Sequence, residues 1–338
     1  MAYQRPGQGG GLSNRSTDSS GPSPKGGTRV LRLSVTDRCD LRCRYCLPAG
    51  AVPFAPQAEL LGTAALVNAV AWLVRQCAVD RLKITGGEPL TFRGIVELVE
   101  RAAALPGIRE ISMTTNGTRL AELAAALRGA GLARVNVSLD TLDERRFAEL
   151  TRGGDLRRTL AGIAAARAAG LAPIKLNSVL RRSAWRKDVP ALLDFAAGEG
   201  FEIRFIELMR TGTEVAWADA ELVVAGEVRS SLERTGRLQP LPSVGPARRT
   251  LASWRGRDMV VGWITPVSEA FCGTCDRLRL DARGVLRRCL MDPESVPLVE
   301  MLRSGTSEAV RETVGRYLAA KVPPAAMDTP RPMRGIGG

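Results

Sequence analysis

Histidine is absent from all 338 residues. With it go Ser-His-Asp and Cys-His catalysis, imidazole-ligated zinc and imidazole acid–base chemistry near neutral pH. Aromatic residues make up only 4% of the chain, which leaves few stacking platforms of the kind that single-stranded nucleic-acid binders use. Lysine runs are missing too, although the net charge is +13. That excess has two readings: a general arginine bias on solvated faces, or a few cations converging on a phosphorylated substrate. No apolar run approaches the roughly 20 residues of a membrane helix, and no membrane partner is expected. The opening stretch "MAYQRPGQGGGLSNRSTDSSGPSPKGG" has no hydrophobic segment of a secretory signal. Gly, Ser and Pro dominate it, too little apolar surface to order a chain, so residues 1–28 are read as a disordered tail.

What the chain does hold is seven cysteines, at 39, 43, 46, 77, 272, 275 and 289. Six fall into two triplets, the spacing of metal ligands rather than of a disulfide framework in a chain this long. Free thiols imply a reducing compartment, and a cytoplasmic location is expected. Cys77 lies in the helical stretch "ALVNAVAWLVRQCAV" and reads as a core thiol.

From Val30 to about Leu208, short β-rich runs ("VLRLSVT", "RLKIT", "IREISMTT", "ARVNVSLD", "PIKLNSVL", "EIRFIEL") alternate with helical segments at 59–78, 93–104, 119–130, 155–169 and 188–199. Six βα repeats point to a parallel sheet closing into a full or partial barrel. Parallel strands covered on both faces normally read as continuous apolar runs. These alternate instead. Arg32, Ser34 and Thr36 share one face, with Leu31, Leu33 and Val35 on the other. Lys83 and Thr85, then Asn136, Ser138 and Asp140, then Lys175 and Asn177, then Glu202 and Arg204 repeat the pattern. A period of two collects each polar set on one side. Helices on the apolar side leave the cations lining the interior, which no packed core tolerates without an anion. The strand ends "TDRC", "TGGEP", "TTNG" and "SLD" fall in register on the rim where barrel sites are built; singly, each could be a cap or turn. Beyond Leu208 follow a helical stretch near 221–235, a Pro/Arg-rich segment "LQPLPSVGPARRT", a strand "MVVGWIT", a hairpin turning at Ala282-Arg283-Gly284 and a helix at about 295–319.

In Cys39-x3-Cys43-x2-Cys46, three thiolates on one loop can hold three corners of an iron–sulfur cubane. Structural zinc prefers four protein ligands. The fourth iron is left open to an amine and carboxylate, such as the methionine end of S-adenosylmethionine. Cys272-x2-Cys275-x13-Cys289 repeats the deficit. It reads either as a structural staple completed by a distant ligand, with Cys77 serving only if its helix turned inward, or as a second cluster with an open iron. Arg277 and Arg279 alternate on the strand beside it.

The cysteine spacing, Tyr45 before the last cysteine and "GGEP" from Gly86 to Pro89 resemble the radical-SAM superfamily. "LRLSVTDRCDLRCRYCLP", "ITGGEPL", "TTNG", "VNVSLD", "IKLNSVL", "EIRFIELM", "FCGTCDRLRL" and the terminal "GIGG" further resemble the GTP 3′,8-cyclase family of molybdenum cofactor biosynthesis, from about Arg29 to the last glycine. That resemblance implies an α/β fold: a partial (βα)6 TIM-like radical-SAM barrel over 29–212, a C-terminal Fe–S and substrate domain over 213–325, and a tail over 326–338. It implies two [4Fe-4S] clusters, on Cys39, Cys43 and Cys46 and on Cys272, Cys275 and Cys289. Tyr45, Gly87, Ser138 and Met209 would contact S-adenosylmethionine. Arg32, Lys83, Thr114, Lys175, Arg277 and Arg279 would hold GTP, with Arg204 as further positive lining, and Gly337 and Gly338 would reach into the site. The implied reaction takes the 3′ hydrogen of GTP, closes C3′ onto C8, and ends in reduction and protonation. An electron donor and a downstream cyclic pyranopterin monophosphate synthase are the implied partners, and a homodimer is compatible with the sequence. Departures are Lys83 for a usual arginine, Arg93 one place late and Glu269 where histidine is frequent. Two other readings are a radical-SAM peptide-modifying enzyme with an auxiliary cluster, and a basic nucleic-acid binder with metal staples. The first has no reason for a ring of inward cations. The second predicts four ligands per metal.

Overall fold

The computed structural model describes residues 28–47, 50, 54–211, 215–324 and 328–329. The six β-rich runs form parallel strands that pair in chain order: β1 (Arg29–Ser34), β2 (Val79–Thr85), β3 (Glu110–Thr115), β4 (Arg134–Ser138), β5 (Lys175–Val179) and β6 (Glu202–Ile206). Helices cross between them: α1 (Thr63–Cys77), α2 (Ile95–Ala103), α3 (Leu120–Gly129), the pair α4 (Glu144–Thr151) and α5 (Leu156–Ala168), then α6 (Trp185–Glu199). Of these, α4 has no counterpart among the helical segments read from sequence. Asp143 and Asp155 open α4 and α5 by accepting from the amides of Arg146 and Arg157, satisfying donors that the first turn leaves over.

The alternation sorts the faces as expected. Leu31, Leu33, Leu82, Ile84, Val135, Val137, Leu176, Ile203 and Phe205 are fully buried. Each such side chain contributes about 2 kcal/mol of apolar burial. The helices therefore lock onto that face, and the cations are left on the other. Contrary to the reading that no apolar run approaches membrane length, the stretch Gln57–Cys77 is apolar and long enough to cross a membrane by composition alone. In the fold Leu66, Val67, Val70, Leu73 and Cys77 are packed inside, which agrees with the core-thiol reading of Cys77.

Most strands after residue 213 extend the first sheet rather than build another. Strand β10 (Arg257–Ile264) joins β6 in parallel, and β11 (Arg277–Leu280) joins β1 in parallel. The parallel run thus has eight strands in the order β11-β1-β2-β3-β4-β5-β6-β10, two more than the repeats alone indicated. The Pro/Arg-rich segment, to which the sequence assigned no element, lies in an antiparallel pair of strands, β8 (Arg237–Val244) and β9 (Ala247–Trp254), which continues the sheet from β10. Pro240 and Pro242 are tolerated because β8 is the edge strand, where absent amide donors break no further ladder.

At the other edge β12 (Leu286–Arg287) turns back on β11. Asp281 accepts from the amides of Arg283 and Val285, and Gly284 takes φ +81°. A Cβ at Gly284 would also meet Val299 at 2.6 Å. The single helix expected at 295–319 is two, α9 (Leu298–Ser304) and α10 (Ser307–Ala319), with Thr306 capping the second. Short helices α7 (Val215–Glu221) and α8 (Ala225–Glu233) follow a two-residue strand β7 (Arg210–Thr211), which pairs with β13 (Asp328–Thr329).

Candidate active site

All eight parallel strands contribute to one cavity of about 500 Å³, within the range of small-molecule sites. Both cysteine triplets line it. Thr36 and the backbone of Arg38, at the end of β1, receive the glycine turn after β2. The amides of Gly87 and Glu88 donate to the carbonyls of Thr36 (2.7 Å) and Arg38 (2.8 Å). A Cβ at Gly87 would stand 2.3 Å from the Arg38 carbonyl oxygen, so only glycine permits this approach to the cysteine loop. The buried Glu88 carboxylate accepts from the amides of Leu90 (3.0 Å) and Asn116 (2.7 Å) and the Thr115 hydroxyl (2.7 Å). It fastens the turn after β2 to the end of β3, and burial pushes its pKa up to about 7.

On the loop, Cys39, Cys43 and Cys46 face the cavity. Burial raises all three thiols, Cys46 to about 12, and each is raised further by the charge of another member of the triplet. Thiols so placed are held as thiolates only by a bound cation, and the donor set contains sulfur alone. Among the described residues no three Cys or carboxylate side chains gather round a single ion. The donor chemistry fits a cluster whose cysteines bind separate irons. Beside them the Tyr45 hydroxyl donates to Asp140 (2.8 Å), whose other oxygen accepts from the Val179 amide (2.7 Å). The loop is thereby tied to the ends of β4 and β5.

Cations line the same cavity. Arg279, Arg32 and Lys83 are register partners on the adjacent strands β11, β1 and β2. Neighbouring strands lie only about 4.8 Å apart, and like charges directly opposite repel. Burial and then the Arg277 charge lower Arg32 to about 10. Burial, Arg32 and Arg277 hold Arg279 well below its ordinary value. Lys83 is held well below 10.5 by burial and then by Arg32 and Arg204. Among the described residues no carboxylate comes within ion-pair distance of Lys83. The row sets three cations side by side in the cavity wall.

At the second triplet, Cys275 differs from Cys272. Burial raises Cys272, but at Cys275 Arg277 and Lys321 outweigh burial and lower the thiol. Arg277 Nε donates to Cys275 Sγ (3.3 Å), and Lys321 Nζ donates to the carbonyls of Cys275 (3.0 Å) and Arg277 (2.9 Å). Lys321 follows α10 and thus pins the chain after that helix to the triplet. Lys321→Met, which keeps the length and loses the donors, is expected to weaken iron retention at this triplet about tenfold. Iron released to a chelator over time measures it, with the Cys39 triplet as internal control.

Cys39, Cys43, Cys46, Tyr45, Gly87, Ser138, Met209, Arg32, Lys83, Thr114, Arg204, Arg277, Arg279, Cys272, Cys275 and Cys289 all line the cavity. Lys175 does not. It is buried one pleat below Asn177 with its ammonium on Glu202 (2.9 Å). Gly337 and Gly338 lie outside the described residues. Arg93 is exposed and off the cavity. Glu269, also off it, bridges Arg229 and Arg248 (both 2.9 Å), a joint between α8 and β9 that a neutral side chain would not make.

Asp140, Asn177, Glu207 and Lys321 are among the lining residues that went unread as site residues. Asp140 and Asn177 sit on the polar period and could have been taken from it. Glu207 follows β6 and accepts from the amides of Ala225 (2.9 Å), Val267 (3.0 Å) and Ser268 (2.9 Å). Lys321 has no local signal, because its partners are over forty residues away.

Comparison with known proteins agrees with this geometry. The profile of the Radical SAM superfamily matches residues 33–196, and that of Molybdenum Cofactor Synthesis C matches residues 201–327. A GTP 3′,8-cyclase of Mycobacterium marinum is 42% identical over 321 residues, covering 91% of this chain and 89% of its own. One from Moorella thermoacetica is 42% identical over 320 residues, covering 91% and 97%. In fold, the chain resembles Streptococcus suis SuiB bound to S-adenosylmethionine, with a TM-score of 0.52 at 13% identity over 84% of this chain and 68% of that one. Two cysteine triplets and a row of cations in one parallel-stranded cavity therefore meet a full-length sequence match: the chain belongs to the GTP 3′,8-cyclase family of the radical SAM superfamily.

Proposed function

We propose that this chain converts GTP to 3′,8-cyclo-7,8-dihydro-GTP, the first step of molybdenum cofactor biosynthesis. The observation that carries the reading is the cross-strand row Arg279–Arg32–Lys83 set in one cavity with two all-cysteine triplets. Cys39, Cys43 and Cys46 would hold one [4Fe-4S] cluster, and Cys272, Cys275 and Cys289 the other. When bound, the first cluster and S-adenosylmethionine supply one-electron chemistry able to take the ribose 3′ hydrogen.

The protein's part is binding and orientation. Gly87, with no side chain, leaves the rim open beside the cysteine loop. Ser138 offers a hydroxyl, and Tyr45, fixed by Asp140, holds the loop's last turn. Thr114 and the cations Arg32, Lys83, Arg277 and Arg279 take the nucleotide, the guanidinium groups matching phosphate oxygens in pairs. An external electron donor, a downstream cyclic pyranopterin monophosphate synthase and a cytoplasmic setting complete the proposal. Support for the setting is that all seven cysteines are unpaired.

Anaerobically reconstituted protein, given GTP, S-adenosylmethionine and a reductant, is expected to consume GTP and form 5′-deoxyadenosine together. Formation of 5′-deoxyadenosine with GTP left intact would rule out this substrate.

A further inference from the structure

Lys175 and Glu202 are register partners on β5 and β6, and the Lys175 ammonium lies 2.9 Å from one oxygen of Glu202. The other oxygen accepts from Arg204 Nε at 2.7 Å, and Arg249 approaches the carboxylate at 3.8 Å. Glu202 and Arg204 are less than a tenth exposed, and Lys175 is a tenth exposed. Arg204 is the member that also lines the cavity. Gly262, opposite Arg204 on β10, makes room for it: a Cβ there would stand 2.9 Å from Arg204 Cγ.

One carboxylate thus serves three cations in a largely dry place. Arg134, on the adjacent strand β4, is already matched by Glu110 at 2.6 Å. A buried cluster with surplus positive charge is costly unless another anion completes it. Among the described residues the cluster is therefore short of an anion, and Arg204 is its member open to the cavity.

We propose that Glu202 is an internal counter-ion that holds Lys175 and Arg204 ready for a phosphate chain and yields them to it. In the empty cavity the carboxylate stands in for phosphate. When a triphosphate enters past Lys83, the cations change partners, and the affinity measured is that of phosphate less that of the carboxylate it replaces. Glu202 is a positioning residue of this kind, and it sets how much negative charge a ligand must bring. The inference rests on the nucleotide triphosphate reading above.

The test uses reconstituted holoenzyme at low salt, with inorganic triphosphate titrated calorimetrically and thermal melts recorded with and without it. E202Q is expected to melt below wild type in the absence of anion, to regain most of that loss with triphosphate, and to bind triphosphate about tenfold more tightly. E202D, whose shorter carboxylate cannot span both cations, is expected to tighten binding about threefold, and it keeps the test open if E202Q does not fold. In the E202Q/K175M double variant the gain should vanish. Unchanged or weaker triphosphate binding by folded E202Q or E202D, beside a wild type that binds it, overturns the counter-ion role alone. A wild type that binds neither GTP nor triphosphate overturns the nucleotide reading and this proposal with it.

Discussion

Cys43→Ser is expected to leave the reconstituted protein with about half its iron, roughly four of eight atoms on the two-cubane reading, and to abolish 5′-deoxyadenosine formation, a loss of more than about 10³-fold or about 4 kcal/mol in barrier. On the proposed assignment, three thiolates would be the whole of the protein's hold on the first cluster. A serine hydroxyl ionises far less readily than a thiol in the same surroundings, where burial already holds even the Cys43 thiol well above its ordinary value. The second triplet reaches the cavity from the β11–β12 edge and shares no residue with the first. Its iron should survive, and Cys275→Ala should give the mirror result: 5′-deoxyadenosine still forms, but GTP is not cyclised. Iron analysis with electron paramagnetic resonance reads both. Equal loss of iron from both sites in either variant would mean that the triplets do not bind separately.

Lys83→Met is expected to move stability and function in opposite directions. Lys83 faces the cavity beside Arg32, and no carboxylate among the described residues answers it. Burial and then the charges of Arg32 and Arg204 hold its pKa well below 10.5. The folded state therefore binds its proton less tightly than the unfolded chain does. The resulting penalty is fully present below the folded pKa and fades as pH rises toward 10.5. Methionine removes it, so the variant should be more stable near pH 7 by about 1 kcal/mol, a figure kept small because cavity water screens the charge. The advantage should shrink as the solution becomes alkaline. GTP affinity should fall about a hundredfold, since a cation central to the row is gone. A melt at two pH values and a GTP titration measure both. A variant that is less stable and binds GTP normally would place Lys83 in the structural core and outside the site.

Strands β1 to β6 are legible in the sequence because burial on one face imposes an apolar period of two, and the cations interrupt it in phase. The cysteine loop and glycine turn are legible because their chemistry is local. Strands β8 and β9 are not: both are poor in uninterrupted apolar runs, and Pro240 and Pro242 argue against a strand unless its place at the sheet edge is known. That β10 and β11 extend the first sheet at its two ends is equally hidden, since parallel partners lie more than fifty residues away and no turn links them. The polar face fixes which cations point inward but not their partners. Lys175 has the same period as Asn177, yet only the pairing of β5 with β6 places Glu202 against it. Lys321 likewise acquires its role from a helix end folded back onto Cys275.

The central claim is that both cysteine triplets and the cation row serve one reaction on GTP. GTP carrying deuterium at C3′ tests it most directly in a single anaerobic turnover of the reconstituted protein. The expected result is 5′-deoxyadenosine carrying that deuterium, in step with GTP consumed. Unlabelled 5′-deoxyadenosine formed while labelled GTP persists would contradict the account.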